Sequence, residues 1–391
     1  MSSVGMVPSV DWLQEMDLGA SGAGSRFISE SGVGEWHITI APEACEADPV
    51  KGLEDAWLSA LAAAGLAPES TVLRRVCCRD VTTQSAALED FGRAYPGAFS
   101  VIGQPPLGGG DLALWSYHLT DPAGPLVLRA GQGWHGFQRG PLRHYWTMGL
   151  TAPGEANAAT QCQTVLDGYA AWLSDHEMSL ADNVVRTWWH LRDIDDEYGE
   201  LVDVRREFFR EHDLTERTHY IASTGIAGVP VEPAARLSLD AHAIHGLVEG
   251  QVEYLNASDH LGATHEYGVT FERATRIAYA DRSHIYLSGT ASIDVAGEIV
   301  HPGNVMRQLD RALENVAALL AAGGAGFDDL AMMLVYLRNP ADGPEIERIC
   351  RERFPGLPML VLHAPVCRPG WLVEVEGIAL IAALHADFPE F

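Results

Sequence analysis

Residues 330–339 read LAMMLVYLRN, an unbroken apolar run of strand length that ends in Arg338-Asn339. Two earlier stretches have the same form, TVLRRVCCRD at 71–80 and VVRTWWHLRD at 184–193. A short apolar run bounded by polar residues is typical of a buried strand. Three such strands, each closed by an arginine and a short polar residue, indicate that one structural unit is repeated along the chain.

Amphipathic helical patterns flank each apolar run. Before the third run, Leu309, Leu313 and Leu320 recur at helical spacing, and Gly323-Gly324 ends the pattern. The second and third copies keep an offset of 146 or 147 positions in five pairs of identical residues: Gln161 and Gln308, Leu166 and Leu313, Leu173 and Leu320, Leu191 and Leu337, Phe208 and Phe354. The first copy has the same pattern without such anchors, so ordinary alternation of strands and helices remains a second explanation for it.

The repeated order is strand, strand, helix, strand, helix and closing strands, which predicts an α+β unit with helices on one sheet face. We therefore predict an α+β fold in which three units of one chain form a pseudo-trimer. The expected divisions are a flexible amino-terminal arm over 1–34, a degenerate unit over 35–125, a second unit over 126–250 and a carboxyl-terminal domain over 270–391.

Composition excludes several classes of function. A formal charge of −27 and a pI near 4.8 argue against binding to nucleic acid or to an anionic membrane. Lys51 is the single lysine among 26 basic residues, which disfavours Schiff-base and P-loop chemistry. The six cysteines lack C-x-x-C spacing, and no basic segment leads into an apolar leader. We expect a cytoplasmic protein that uses no metal and no other cofactor.

Two acids stand in an apolar strand near the carboxyl end, where residues 372–379 read LVEVEGIA. Glu374 and Glu376 share one face of that strand, because side chains alternate along it. Burying a charge is costly unless it is paired or neutralised, so one of these groups is a candidate general acid beside a ligand. The other interpretation is an edge strand whose glutamates face solvent.

The copies differ where chemistry is expected. Residues 216–225 of the second copy read ERTHYIASTG and contain Arg217, whereas the matching place in the third copy, 357–362, has no arginine. Glu374 is present in the third copy alone. If the units meet around a threefold axis, one composite cleft can hold both groups. Seen alone, Arg217 is equally compatible with a surface charge at a helix end.

A basic and aromatic stretch, RGPLRHYW at 139–146, opens the second copy. It contains Arg139, Arg143 and Tyr145. Such a mixture can stack nucleic-acid bases, but the acidic balance of the chain disfavours that function. A small dicarboxylate with a ring fits the same groups, because arginine forks bind carboxylates and aromatic rings pack on a carbocycle.

The third copy, from residue 272 to 383, resembles the Rid family, also called YjgF or UK114. The resemblance rests on YLSGTA at 286–291, Gln308, LENV at 313–316, YLRN at 336–339 and LVEVE at 372–376. It implies a chorismate-mutase-like fold with clefts between the three units. In the imine- and enamine-deaminating members an arginine occupies the place where this chain has Met359, so the chain departs from the deaminase pattern.

From residue 36 to 383 the chain resembles the chorismatases, also labelled pteridine-dependent deoxygenase-like. The resemblance rests on VIGQPP at 101–106, RTHYIASTGI at 217–226, SGTASI at 288–293 and the spacing of Cys367 from Glu374. It implies a cofactor-free hydrolase that removes pyruvate from chorismate. The product is a hydroxybenzoate, such as 3-hydroxybenzoate, or a dihydroxycyclohexadiene carboxylate, made for secondary metabolism.

The resemblance also implies roles for single residues. A neutral Glu374 in an apolar pocket is the expected proton donor, because desolvation disfavours its charged form. Cys367 is expected to shape the pocket and is connected with product choice. The expected substrate-binding residues are Arg139, Arg143 and Arg217 for carboxylates, Tyr145 and Tyr220 for ring and hydroxyl contacts, and Thr224, Gly289, Thr290 and Glu376 around them.

Two other functions stay open at this point. One is a Rid-type hydrolase that acts on an imine or enamine in a biosynthetic pathway. The other is a non-catalytic Rid-like binding protein in which Glu374 is solvated. The predicted partner is a small dianion, with no nucleic acid and no membrane, and we expect a monomer that acts as a pseudo-trimer.

Overall fold

The computed structural model describes residues 13–19, 21–43, 48–124, 127–131 and 133–391. These residues form mixed β-sheets with helices packed on them, in consecutive parts of the chain.

The elements of the first unit are β1 Leu13–Asp17, β2 Gly22–Ile28, β3 Gly34–Ile40, α1 Pro49–Ala64, β4 Thr71–Cys78, α2 Val81–Ala94, β5 Ala98–Gly103 and β6 Leu112–Thr120. Those of the second are β7 Arg129–Gly131, β8 Trp134–Arg139, β9 Leu142–Leu150, α3 Ala158–Asp175, α4 Leu180–Asn183, β10 Val184–Leu191, α5 Ile194–Glu211, β11 Ala222–Ala227, β12 Val229–Pro230 and β13 Leu237–His245. Those of the third are β14 Val252–Leu255, β15 Ala274–Ala278, β16 Arg282–Ala291, α6 Val305–Ala322, β17 Leu330–Leu337, α7 Gly343–Arg353, β18 Met359–His363 and β19 Val373–Ala382.

The three sheets share one strand order. It runs β1-β2-β3-β6-β4-β5 in the first sheet, β7-β8-β9-β13-β10-β11 in the second and β14-β15-β16-β19-β17-β18 in the third. The last two strands of each series are parallel, and their other neighbours are antiparallel. The short β12 adds to the edge of the first sheet by pairing with β5. Three copies of one topology confirm the predicted α+β pseudo-trimer.

The third unit shows how the sequence pattern becomes structure. α6 begins after Asn304, whose side chain accepts a hydrogen bond from the backbone amide of Arg307. Leu309, Leu313 and Leu320 of the predicted stripe are buried, and α6 packs on β16 and β19. Burying each such side chain contributes about 1.5–3 kcal/mol. Among the described residues no helix combines the length and the apolarity that crossing a bilayer requires.

The expected flexible arm over 1–34 is wrong for its described part. β1 and β2 form an antiparallel hairpin that continues into β3. Phe27 is fully buried in a cluster with Ala331 of the third unit, and the Ser25 hydroxyl donates to the Ala331 carbonyl at 2.6 Å. The small residues that suggested a loose arm instead let this hairpin approach its neighbours closely. Residues 1–12 lie outside the described residues.

The other expected divisions, 35–125, 126–250 and 270–391, stay proposals. Two elements do not follow them: β14 belongs to the third sheet but precedes residue 270, and β12 of the second unit pairs with the first sheet.

The three sheets are joined at the centre of the molecule by buried ion pairs, each between two different units. The pairs are Arg75 with Asp240 at 2.8 Å, Arg186 with Glu376 at 2.6 Å and Arg282 with Glu35 at 2.6 Å. Leaving one member of such a pair without its partner costs about 3–5 kcal/mol. These pairs therefore penalise any arrangement of the units that separates them.

Candidate active site

Glu374 lies on β19, between β16 and β17, where it faces Ala291 and Tyr336 in the strand register. Its side chain is buried, with 4% of its surface exposed. The alternative of an edge strand with solvent-facing glutamates is therefore wrong. Within the described residues, no protein group makes a hydrogen bond to its carboxyl group, which faces a cavity.

Glu376 is buried as well, but it is fully engaged by protein donors. Arg186 Nη2 donates to it at 2.6 Å, Trp188 Nε1 at 2.9 Å and the Tyr336 hydroxyl at 3.0 Å, and the Thr224 hydroxyl donates to it too. Four donors around one carboxylate make it a fixed negative charge beneath the cavity.

Burial, together with repulsion from Glu376, raises the pKa of Glu374 to about 8, against the opposing attraction of Arg186 and Arg273. A carboxylic acid with such a pKa is protonated at neutral pH and can give its proton to a ligand. The two glutamates thus share a strand face but have different chemistry: Glu376 supplies charge, and Glu374 supplies a proton.

The cavity beside Glu374 lies between the second and third units. Its free volume is about 30 Å³, which is room for about two water molecules. The lining comes from α5, β11, β16, β19 and the segments before β15 and β19: Tyr198, Arg205, Ser223, Thr224, Gly225, Tyr267, Val269, Phe271, Arg273, Gly289, Ala291, Ile293, Cys367, Arg368, Trp371 and Glu374.

Three arginines in this lining form no ion pair with any carboxylate of the described chain: Arg205, Arg273 and Arg368. Arg205 is 2% exposed, and its Nη2 atom has no hydrogen-bond partner. Arg273 is equally buried, which lowers its pKa, and it donates to one backbone carbonyl at 3.0 Å. The Arg368 guanidinium lies 5.1 Å from the centre of the Trp371 ring. Two buried cations, Arg205 and Arg273, and the half-buried Arg368 thus lack counterions, and such cations mark a site for an anionic ligand.

Cys367 lines the same cavity. Burial raises the pKa of its thiol to about 12, with a further contribution from Glu374, and the Tyr198 hydroxyl is hydrogen-bonded to it. The thiol is therefore protonated at neutral pH and is a poor nucleophile. This environment agrees with a part in pocket shape rather than in covalent chemistry.

Gly289 lies where β16 bulges beside Glu374. A Cβ atom at this position would lie 2.7 Å from the Glu374 carboxyl carbon and 3.1 Å from the Thr224 methyl group. Its backbone amide donates to the Thr224 hydroxyl at 2.9 Å. Thr290, the next residue, is fully buried and donates to the Ser288 carbonyl, so it does not line the cavity.

Four of the predicted carboxylate- and ring-binding residues lie elsewhere. Arg139 pairs with Asp121, Arg143 is 3.8 Å from Glu177, Tyr145 packs on Trp134 and Trp172, and Arg217 is exposed after α5. The expectation that they surround Glu374 is wrong. The strands that carry the first three belong to the far part of the second sheet, and the turn that carries the last is at the surface.

Tyr220 is buried and stacks on Phe209 at 6.5 Å between ring centres, but it does not line the cavity. The middle third of the chain does provide a guanidinium to the cavity that Glu374 faces, and that residue is Arg205.

Three arginines of this cavity were missed in the sequence, Arg205, Arg273 and Arg368, and the first of them carried a signal. Arg205 follows Leu201 and precedes Phe209 by four residues each, so it stands on the apolar face of α5. A cation on the buried face of an amphipathic helix needs a partner there. Arg273 directly precedes β15 and had no comparable signal.

Within the described residues, no three His, Cys, Asp or Glu side chains cluster in a way that could hold a metal ion. Cys45 lies outside those residues. The hydroxyl, carboxyl and guanidinium groups of the cavity are binding and proton-transfer groups for an organic anion.

Comparison with known proteins shows which proteins have a similar sequence and fold. The family model described as endoribonuclease L-PSP matches residues 273–381. A crystal structure of a chorismatase has the same fold, with a TM-score of 0.62, 17% identity and coverage of 88% of this chain and 98% of that chain. Fold and site together define a Rid-like pseudo-trimer with one acid-bearing cleft between units.

Two curated relatives are from Streptomyces. A 3-hydroxybenzoate synthase of Streptomyces hygroscopicus is 30% identical over 220 residues, which are 51% of this chain and 64% of that protein. A chorismatase of Streptomyces rapamycinicus is 35% identical over 120 residues, 28% of this chain and 36% of that protein. The alignments span less than two thirds of either relative. The chain is thus similar to these two proteins in sequence, to the endoribonuclease L-PSP family over residues 273–381, and to a chorismatase in fold.

Proposed function

We propose that this protein is a chorismatase, which removes pyruvate from chorismate without a cofactor. The observation that carries the proposal is a buried Glu374, with no hydrogen bond from the described chain, in a cleft that also holds three arginines without counterions. Chorismate is a dianion with an acid-labile enol ether, so it requires both kinds of group. The name of the Streptomyces rapamycinicus relative, chorismatase, supports the same substrate.

In the proposed reaction, Arg205, Arg273 and Arg368 bind the carboxylates of the substrate. Glu374 then protonates the methylene carbon of the enolpyruvyl group, which gives an oxocarbenium ion and leaves Glu374 as a carboxylate. General acid catalysis of this kind contributes about 10²–10⁴-fold to the rate. The low dielectric of the closed cleft strengthens the attraction between the new carboxylate and the cation.

The oxocarbenium ion can form either of two products, and both reactions balance. Addition of water followed by loss of pyruvate gives a dihydroxycyclohexadiene carboxylate, whereas loss of pyruvate without net uptake of water gives a hydroxybenzoate. We infer 3-hydroxybenzoate as the main product, because one curated relative is named a 3-hydroxybenzoate synthase and Glu374 is the one carboxyl group in the described lining that could activate water. The neutral thiol of Cys367 and the apolar wall of Trp371 and Ile293 limit water further.

Binding of a ring of this size requires the cleft to open. A free volume of about 30 Å³ does not admit a substituted cyclohexadiene. Tyr267, Arg368 and Trp371 stack on one another at the outer side of the cavity, with the Arg368 guanidinium 5.5 Å from the Tyr267 ring centre. Movement of this group of three side chains would provide access and then exclude water after binding.

The imine and enamine hydrolase is less well supported. Met359, at the place where the deaminase pattern has an arginine, is buried in β18 and does not line the cavity. The three free arginines provide more cationic sites than a single carboxylate requires.

The test is incubation of the purified protein with chorismate, with pyruvate and aromatic product measured together. We expect pyruvate and 3-hydroxybenzoate in equal amounts, with the rate greatly reduced in Glu374→Gln. Glu211→Gln is the matched control, because Glu211 is exposed at the end of α5. Absence of pyruvate from the parent protein would refute the function. Pyruvate with the diene product would refute only the inferred product.

A further inference from the structure

The cleft between the first and second units repeats the architecture of the active cleft. Asp240 on β13 lies opposite the middle of β10, as Glu376 on β19 lies opposite the middle of β17. Two residues earlier on each strand, Ser238 takes the place of Glu374. From the neighbouring unit, the hydroxyl of Ser100 on β5 donates to Asp240 at 3.2 Å, as the hydroxyl of Thr224 on β11 donates to Glu376 in the active cleft.

Both clefts also contain a β-bulge at the same position. The pairing of β9 with β13 shifts there, as does that of β16 with β19. Gly149 and Gly289 stand at the two bulges. The Gly149 amide donates to Asp240 at 2.6 Å, and a Cβ atom at Gly149 would meet no atom within 4 Å. The space above this bulge is therefore open.

The third and first units are joined by backbone pairing. Pro106 forms an isolated bridge with Leu362, and the Leu107 amide donates to the Val361 carbonyl at 2.9 Å. The Leu107 side chain lies against Gly343. Backbone pairing of this kind occurs at the other two interfaces as well, since Ile226 bridges Val366 and Val229 of β12 pairs with Gly103 of β5.

The open cleft of the first and second units has a volume of about 430 Å³, within the range of small-molecule sites. Its apolar wall comes from Phe99, Val101, Ile102, Met148, Val231 and neighbouring prolines. On its floor, Ser238 is 1% exposed and its hydroxyl has no hydrogen-bond partner. A buried hydroxyl without a partner at the base of a cleft points to a ligand that supplies one.

The charge of this cleft is opposite to that of the active cleft. None of its lining residues is an arginine or a lysine, while Glu89 and Glu232 stand at its rim. Arg93 lies 3.5 Å from Glu89, but both side chains are exposed and such a pair is weak. The net charge of −27 adds to the negative potential.

From these observations we propose that the cleft between the first and second units is a second ligand site, which binds a small organic cation with an apolar body, such as a primary amine on a ring. The ring packs on the wall formed by Phe99 and Met148. The ammonium group donates to the Ser238 hydroxyl or to the rim carboxylates. No chemistry is assigned to this site, because a serine stands where the active cleft has its acid.

Methyl NMR of the full chain tests the proposal, with ¹³C-methyl methionine and the Met148 signal identified by its loss in Met148→Leu. Benzylamine, benzyl alcohol and benzoate are the probes. We expect benzylamine to shift the Met148 signal at about three- to ten-fold lower concentration than benzyl alcohol, the effect of one or two exposed charge pairs. Benzoate should leave this signal unchanged. Equal responses to all three probes, or none to benzylamine, would overturn the proposal.

Two variants separate the ligand site from general effects on the fold. The double variant Glu89→Arg with Glu232→Arg changes exposed side chains and should exchange the preference, so that benzoate now shifts the Met148 signal. Ser238→Leu fills the floor and should abolish the benzylamine response. Pyruvate release should be unchanged in the double variant, because that reaction uses the other cleft. Benzylamine binding that persists in both variants would contradict the assigned position.

Discussion

Replacement of Glu374 by glutamine should change how stability depends on pH. The pKa of Glu374 is about 8 in the folded protein against an ordinary value of 4.5. Between these values the folded chain keeps a proton that the unfolded chain releases. The stability linked to this group is therefore fully present below about pH 4.5 and is lost as the pH rises towards about 8. At about 1.36 kcal/mol per unit, the whole change is on the order of 5 kcal/mol.

Glutamine keeps the shape of the acid but has no proton to lose in this range. Urea unfolding followed by tryptophan fluorescence, at about pH 5.5 and about pH 8.5, should show a fall in the free energy of unfolding that is roughly 3 kcal/mol smaller in Glu374→Gln than in the parent. Glu211→Gln should follow the parent. Parallel pH dependence in the parent and in Glu374→Gln would refute the conclusion that this carboxyl is held neutral by burial.

Three other perturbations test the site. Glu376→Gln should lower the pKa of Glu374, so that turnover declines at a lower pH, which a pH–rate profile measures. The same variant should destabilise the fold by about 3–5 kcal/mol, because Arg186 loses its counterion. Urea unfolding measures this second effect. Gly289→Ala should abolish chorismate turnover, because its methyl group occupies the space beside Glu374, while circular dichroism stays unchanged. Arg205→Met should raise KM for chorismate by about 10- to 100-fold, the effect of one lost charged hydrogen bond, whereas Arg217→Met should leave KM unchanged. Three results would each contradict the site described above. They are equal effects of the two arginine variants, full activity of Gly289→Ala, and an unchanged pH profile in Glu376→Gln.

The hydrophobic pattern of the sequence was sufficient to predict the repeated α+β architecture. Apolar runs of strand length and helical stripes such as that of Leu309, Leu313 and Leu320 are local consequences of burying one face of each element. The offset of 146 or 147 positions between the second and third copies indicated that the unit is repeated. The small residues before residue 34 gave the opposite impression, because the packing that orders them comes from Ala331 and its neighbours, far away in the chain.

The acid of the site was also visible in the sequence, since a glutamate in an apolar strand is a local anomaly. What the sequence left undecided was which of Glu374 and Glu376 is free. Only the fold shows that Arg186 and Trp188, from another unit, donate hydrogen bonds to Glu376.

The sequence by itself determined the repeated unit, the acidic surface and the strand that carries the proton donor, because periodicity and composition are properties of neighbouring residues. The tertiary structure alone decided that Arg205 and Arg273, rather than Arg139, Arg143 and Arg217, line the cavity that Glu374 faces. It also decided that a second cleft lies between the first and second units. Those outcomes depend on how three sheets pack against one another, and the distance between two residues along the chain does not encode which faces of separate units come together.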